Sequence, residues 1–224
     1  MDNTNYMNNM NYMNNVNNIN NISYVRLLHA SPKAPSVNVF IDDKLLVKGF
    51  EYREFTDYVK LYPKTYNIKI YKSSNPKELL YETDFELKDN KIFTIAAVGE
   101  FPSDFKLFPI EENYTENQNL DSTKAKFRVV NLIPNQSNLD ITLGNGTVLF
   151  RDVMYMEVEN YIELTPRSYT FNITLTNTNI DILYVPNINL KMDRFYTMYI
   201  IGLIDDKPSP QVLVPLDGIT YLNF

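Results

Sequence analysis

A chain of 224 residues without cysteine excludes disulfides, cysteine nucleophiles and cysteine-based zinc sites at once. Its net charge is -6, with no cluster of lysine and arginine, which argues against a nucleic-acid partner. No apolar run is long enough to cross a bilayer as a helix, and a single histidine leaves no ordinary zinc site.

In chain order, residues 1–22 come first as a low-complexity stretch, half of it asparagine. The motif Asn-Tyr-Met-Asn-Asn occurs at 5–9 and again at 11–15. Such a stretch cannot build a core, so a flexible N-terminal arm is expected. It is nearly uncharged and lacks proline and glycine, which suits strand pairing on a partner's free edge. Tyr6, Met7, Tyr12, Met13, Val16, Ile19 and Ile22 are its candidate assembly residues. The first residues show neither a basic nor an apolar signal region, so no conventional signal peptide is expected.

The remainder is written twice. Arg26 answers to Arg128, Pro32 to Pro134, Tyr58 to Tyr161, Tyr66 to Tyr169, Thr94 to Thr197 and Gly99 to Gly202. Leu107 and Pro109 are matched with Leu213 and Pro215. A period of about a hundred residues is too long for a solenoid unit and reads as two similar domains. Both copies alternate as strands do. Tyr66, Ile68 and Ile70 are separated by polar residues, and so are Tyr169, Phe171, Ile173 and Leu175. Asp42-Asp43 and Gly144-Asn145-Gly146 supply hairpin turns. No helical period stands out. About seven short strands per copy predict a β-sandwich. The domains are placed at 23–110 and 125–224, with a polar linker at 111–124. The apolar C-terminus, Ile219 to Phe224, is expected to add a strand or dock on a domain face.

The run Val25-Arg-Leu-Leu-His-Ala-Ser-Pro-Lys-Ala-Pro-Ser-Val resembles the opening of a bacterial family catalogued as domain of unknown function 4397. His29, Ala30, Ser31, Pro32, Ala34, Pro35 and Val37 stand in the family's places. The second copy carries Asn131-Leu-Ile-Pro instead of His-Ala-Ser-Pro. The resemblance implies an immunoglobulin-like or transthyretin-like sandwich, often in tandem and often at the cell envelope, and no known reaction. In composition the Asn-rich leader is similar to spore-surface proteins of low-GC clostridia.

Chemistry is sparse. Ser31 lies two residues from His29 on one strand end, which gives no nucleophile–base geometry. There the imidazole and hydroxyl more naturally serve backbone groups at a bend. Asp42-Asp43, Glu111-Glu112 and Asp205-Asp206 are adjacent acids without the spacing of a calcium loop, and solvated turns are expected for them. Tyr52, Tyr58, Tyr155 and Tyr161 are the best candidates for a surface aromatic patch. No catalytic residue, metal site or cofactor is expected.

The expectation is therefore an all-β protein of two tandem β-sandwich domains behind an arm. Its role would be non-enzymatic: a structural, assembling protein of a bacterial surface layer, such as a spore coat or spore appendage subunit. Its partners would be copies of itself or other spore-surface proteins, and it would reach the surface without a signal peptide. The alternatives are a cytoplasmic location and a ligand-binding adhesion module. In the latter, loops 29–35 and 42–44, set at one end of the first sandwich, would hold a glycan, peptide or ion through His29, Ser31, Asp42 and Asp43.

Overall fold

The computed structural model describes residues 21–113, 121–134, 138–178 and 180–223. The first copy folds as β1 (Ser23–His29), β2 (Val37–Ile41), β3 (Lys44–Phe50), β4 (Val59–Leu61), β5 (Lys64–Lys72), β6 (Asn75–Leu87), β7 (Ile92–Val98) and β8 (Lys106–Glu111). The second repeats them as β9 (Ala125–Asn131), β10 (Leu139–Leu143), β11 (Val148–Val153), β12 (Ile162–Leu164), β13 (Arg167–Leu175), β14 (Asp181–Leu190), β15 (Phe195–Ile201) and β16 (Gln211–Leu213). Each copy thus has eight strands, one more than the sequence pattern suggests, because β4 and β12 are only three residues long. Among the described residues no helix is long and apolar enough to cross a membrane.

Each copy is a sandwich of two four-stranded sheets. The orders are β4-β1-β7-β8 and β3-β2-β5-β6, matched by β12-β9-β15-β16 and β11-β10-β13-β14. The central pairs β1–β7 and β9–β15 are parallel, and all other named pairs are antiparallel. The alternation in β5 is the reason it lies flat on the core. Tyr66, Ile68 and Ile70 are buried, while Thr65 faces water. The β2–β3 hairpin turns on Asp42 and Asp43, both at positive φ (48° and 60°), as a two-residue type I′ turn requires.

Strand β1 departs from a one-sided pattern. Val25 and Leu27 point into their own sandwich, whereas Arg26 and Leu28 point at the other domain. Its sheet is covered on both faces, so the strand reads as apolar almost throughout. Leu28, Ala30, Ala96, Val98 and Ile110 of the first domain pack there on Val130, Leu132, Tyr199 and Ile201 of the second. The two sandwiches are joined face to face along this seam.

The register also revises the repeat at its C-terminal end. Ala96 pairs with Phe108, and its counterpart Tyr199 pairs with Leu213. Phe108 therefore matches Leu213, one residue away from the Leu107–Leu213 match read from sequence. A slip of one residue in a strand swaps its faces. Correctly aligned, Glu112 answers to Asp217. The C-terminus docks rather than adding a strand. A short 3-10 turn at Gly218–Thr220 lies against Tyr58, and Tyr24 Oη donates to the Asn223 carbonyl at 2.8 Å.

Two glycines of similar φ test how tightly the loops close. A Cβ on Gly99 (φ 84°) would sit 1.9 Å from the Asp104 carbonyl oxygen, whereas one on Gly146 (φ 86°) meets nothing within 4 Å. Gly99→Ala is expected to destabilise the fold by more than about 2 kcal/mol, against about 1 kcal/mol for Gly146→Ala. Urea unfolding of the two variants checks the difference.

Candidate functional site

The densest polar constellation lies inside the seam. Arg26 on β1 and Arg128 on β9 project from equivalent positions on facing sheets. Arg26 Nε donates to Thr94 Oγ1 at 2.8 Å, and Arg128 Nε donates to Thr197 Oγ1 at 2.9 Å. Each then reaches the other domain. Arg26 Nη1 donates to the Leu216 carbonyl at 3.1 Å, and Arg128 Nη1 to the Glu111 carbonyl at 3.0 Å. The arrangement has an approximate two-fold symmetry because duplicated residues meet their duplicates' neighbours.

The carboxylates complete it. Arg26 Nη2 lies 3.1 Å from Asp217 Oδ1 and 3.5 Å from Glu112 Oε1, with both acidic side chains 0% exposed. Asp217 accepts from Thr197 Oγ1 at 2.6 Å and from Tyr161 Oη at 2.8 Å. Glu112 accepts from Thr94 Oγ1 at 3.1 Å, from Tyr58 Oη, and from the Ile219 N–H at 3.3 Å. The guanidinium carbons stand 4.7 Å from the Tyr58 ring and 4.4 Å from the Tyr161 ring. Tyr199, which has only Ala96 as its counterpart, breaks the symmetry. Its hydroxyl donates to Thr94 Oγ1 at 3.2 Å.

Burial shapes the protonation of these groups. It pushes the Tyr58, Tyr161 and Tyr199 hydroxyls up, so they remain donors at neutral pH. Burial and the neighbouring Glu112 raise Asp217 to about 6, against the pull of Arg128, Arg26 and Thr197. Burial alone would weaken the charge on Arg26, but the surrounding tyrosines and carboxylates more than offset it. A set of two cations and two acids shut from solvent orders two domains; it does not meet a substrate. Buried pairs of this kind act mainly by penalising every other docking, since an uncompensated buried charge is expensive.

The sequence-derived candidates fall elsewhere. His29 and Ser31 are both 0% exposed. His29 Nε2 lies 3.4 Å from the Pro35 carbonyl, and burial lowers its pKa, so the ring is neutral. Ser31 Oγ donates to the Gly99 carbonyl at 2.6 Å. Asp42 and Asp43 occur at the far end of β2, about 17 Å along that strand. The four residues are therefore not brought together. Asp42 pairs with Lys64 and accepts from the Asn67 N–H, and Asp43 pairs with Lys69 at 2.7 Å.

Tyr58 and Tyr161 are half-buried in the seam, not in a surface patch. Tyr52 packs there too, beside Gln211, with its hydroxyl pushed up to about 12 by burial, and Tyr155 neighbours Asp104. Glu112 is enclosed, not solvated, and Asp206 reaches across to Lys33 at 2.8 Å. Of the arm residues, Tyr6, Met7, Tyr12, Met13, Val16 and Ile19 lie outside the described residues, whereas Ile22 is buried in the first domain. Among the described residues no group of three or more His, Asp or Glu could hold a metal ion. One trace of the seam lies in the sequence: Arg26/Arg128 and Thr94/Thr197 are polar residues kept in both copies within apolar strands, and Tyr58/Tyr161 are kept just before β4 and β12.

A family model described as "Domain of unknown function (DUF4397)" matches residues 23–142 and 125–218. No curated protein matches the chain. Similar solved structures include the C-terminal domain of AlgF from P. aeruginosa, at 18% identity and a TM-score of 0.34. That likeness covers 42% of this chain and 98% of that one. Another is CBMbc (family CBM26) from Eubacterium rectale Amy13K in complex with maltoheptaose, at 10% identity and a TM-score of 0.27. It covers 86% of this chain and 96% of that one. Neither likeness is strong enough to say what this chain binds.

Arg26→Met leaves Asp217 and Glu112 without their shared cation and should cost about 3–5 kcal/mol. Stability should also depend on acid. Asp217 holds its proton to about pH 6 when folded and to 3.8 otherwise. Its share, on the order of 3 kcal/mol, is full below pH 4 and lost as pH rises through 6. The groups facing it are Arg26, Arg128, Glu112, Tyr161, Tyr199 and Thr197. Urea melts from pH 4 to 7 should show the decline, and Asp217→Asn should flatten it.

Proposed function

The chain belongs to the DUF4397 family in two copies, and on that footing we propose a non-enzymatic structural role in a bacterial surface layer. It would be a spore coat or spore appendage subunit, assembling with itself or with other spore-surface proteins. It would stand at the spore surface, released when the mother cell lyses. The observation that carries this reading is the seam. Two sandwiches fastened through a buried charge network form a stiff block, suited to bearing and transmitting contacts. The sheets also end in long edge strands: β6 has 13 residues and β14 has 10. Lys77, Glu78, Glu82, Asp84 and Glu86 guard β6 against indiscriminate pairing, and Pro186 interrupts β14. Contact between copies is thereby left to a specific device, for which the nearly uncharged residues 1–20 are suited. Head-to-tail contacts of that kind make filaments when they do not close.

Electron microscopy of the full chain beside a chain beginning at Asn21, which keeps the buried Ile22, tests the reading. Filaments or sheets from the full chain alone are expected. Dispersed particles from both would overturn it.

A further inference from the structure

The sheet β3-β2-β5-β6 turns one face to the core of the first domain, and its other face carries an apolar row. Leu45 pairs with Phe40 across β3 and β2, and Tyr71 pairs with Leu79 across β5 and β6. The Phe40 and Tyr71 rings close the row between them at 5.5 Å, edge to face. Four strands thus contribute one side chain each. The core takes Val39, Val47, Ile70 and Leu80 from the same strands instead. Leu45 and Leu79 stay 51% and 45% exposed, and the two rings between them are half-buried. At the same register positions the second domain has Val148, Thr142, Thr174 and Asp181, an ordinary wet face. A single exposed leucine is common, but a continuous row left in water in one copy alone marks a contact surface.

The charges beside the row say what covers it. Lys44 and Lys48 are exposed at the Leu45 end, one on each flank: Lys44 pairs with Ile41, and Lys48 follows Val47, the partner of Val39. Glu82 and Glu78 stand at the Leu79 end, again one on each flank. Glu82 pairs with Lys69, which is level with Phe40, whereas Glu78 lies past Leu79 toward Lys72. Lys44 and Glu82 therefore share one flank, and Lys48 and Glu78 share the other. A two-fold axis in the plane of the face, crossing the row between Phe40 and Tyr71, lays a second copy's row on the first in reverse. Leu45 then meets Leu79, Phe40 meets Tyr71, Lys44 meets Glu82 and Lys48 meets Glu78, each contact made twice. An axis along the row would set Lys44 on Lys48 and Glu82 on Glu78, which like charges oppose. Glu78 and Glu82 have Lys72 at 3.4 Å and Lys69 at 3.9 Å, yet 42% and 43% of their side chains stay exposed for a second cation. We propose that the outer face of β3-β2-β5-β6 joins two copies of this chain across the crossing axis. The proposal deepens the assembly reading above by naming a face through which copies meet. Four strands of about six residues offer roughly 400 Å² per copy, a small interface, so the pair should dissociate on dilution.

The test traps the pair covalently in the full chain, which has no cysteine of its own. Within one copy Leu45 and Leu79 stand three strand spacings apart, about 14 Å, beyond a short bis-maleimide. The axis brings them together between copies. Leu45→Cys/Leu79→Cys treated with that reagent should give at least fivefold more covalent dimer on a denaturing gel than either single-cysteine variant. In this background Lys48→Glu should cut the yield at least fivefold, and Lys48→Glu/Glu78→Lys should restore it, because exchanged charges still pair. All four positions are at the surface, and thermal melts confirm that each variant folds. No excess of dimer over the single-cysteine variants, or a yield indifferent to Lys48→Glu, overturns the proposal, as does a yield that the double exchange fails to restore. Filaments from the full chain without that excess would remove this face and leave the structural role standing. Trapped dimers without filaments would keep the face and sink the filament.

Discussion

The seam between the sandwiches is the constraint on which the rest depends. Each domain has a sheet whose second face is too apolar for water, with one arginine in its middle. Apolar contact alone would allow many sliding arrangements, because flat surfaces of Leu, Val, Ile and Ala discriminate weakly. The arginines remove that freedom. Arg26 finds Asp217 and the Leu216 carbonyl in only one docking, and Arg128 finds the Glu111 carbonyl in the same one. The network's worth therefore lies less in net stabilisation than in the cost of every alternative.

Duplication makes such a network easy to reach. A β1 arginine that extends past its own sheet meets, in a face-to-face pair, the end of the other copy's last strand. The residue following β8 and the one reached just beyond β16 are both acidic, Glu112 and Asp217, and each is held by its own domain's threonine and tyrosine. Once the arginine, threonine, tyrosine and acid exist in one copy, both halves of the lock exist. The single asymmetric addition, Tyr199 in place of Ala96, bridges Thr94 to the second domain and fills space on the seam.

Much of this fold was legible in the sequence. The repeat, the period-two strands, the Asp42-Asp43 turn and the sandwich class follow from local pattern. The seam left only traces there, for a specific reason. Alternation presumes one wet face, which puts tyrosines such as Tyr58 and Tyr161 at the surface and adjacent acids such as Glu111-Glu112 in solvent. The unalternating run from Val25 to Ala30 was the sign that both faces are covered. The short, proline-bearing β8 and β16 segments allowed a one-residue misalignment, and that slip concealed the Glu112–Asp217 match. The alternating run 37–41 between them already separates His29 and Ser31 from Asp42 and Asp43, which corrects the expectation of one shared loop end.

The copies have kept the polar residues of the seam and changed much of the rest. Seam positions retain Arg, Thr and Tyr in both domains. The cores do not match: the second buries sixteen hydrophobic residues in one cluster around a phenylalanine stack, the first only ten. Phe127, Phe150 and Phe171 of the second domain stand where the first has Val25, Val47 and Ile68, while Phe50 of the first stands where the second has Val153. The second domain, well filled, can act as the anchor. Through the seam it holds the β1 sheet of the first in place.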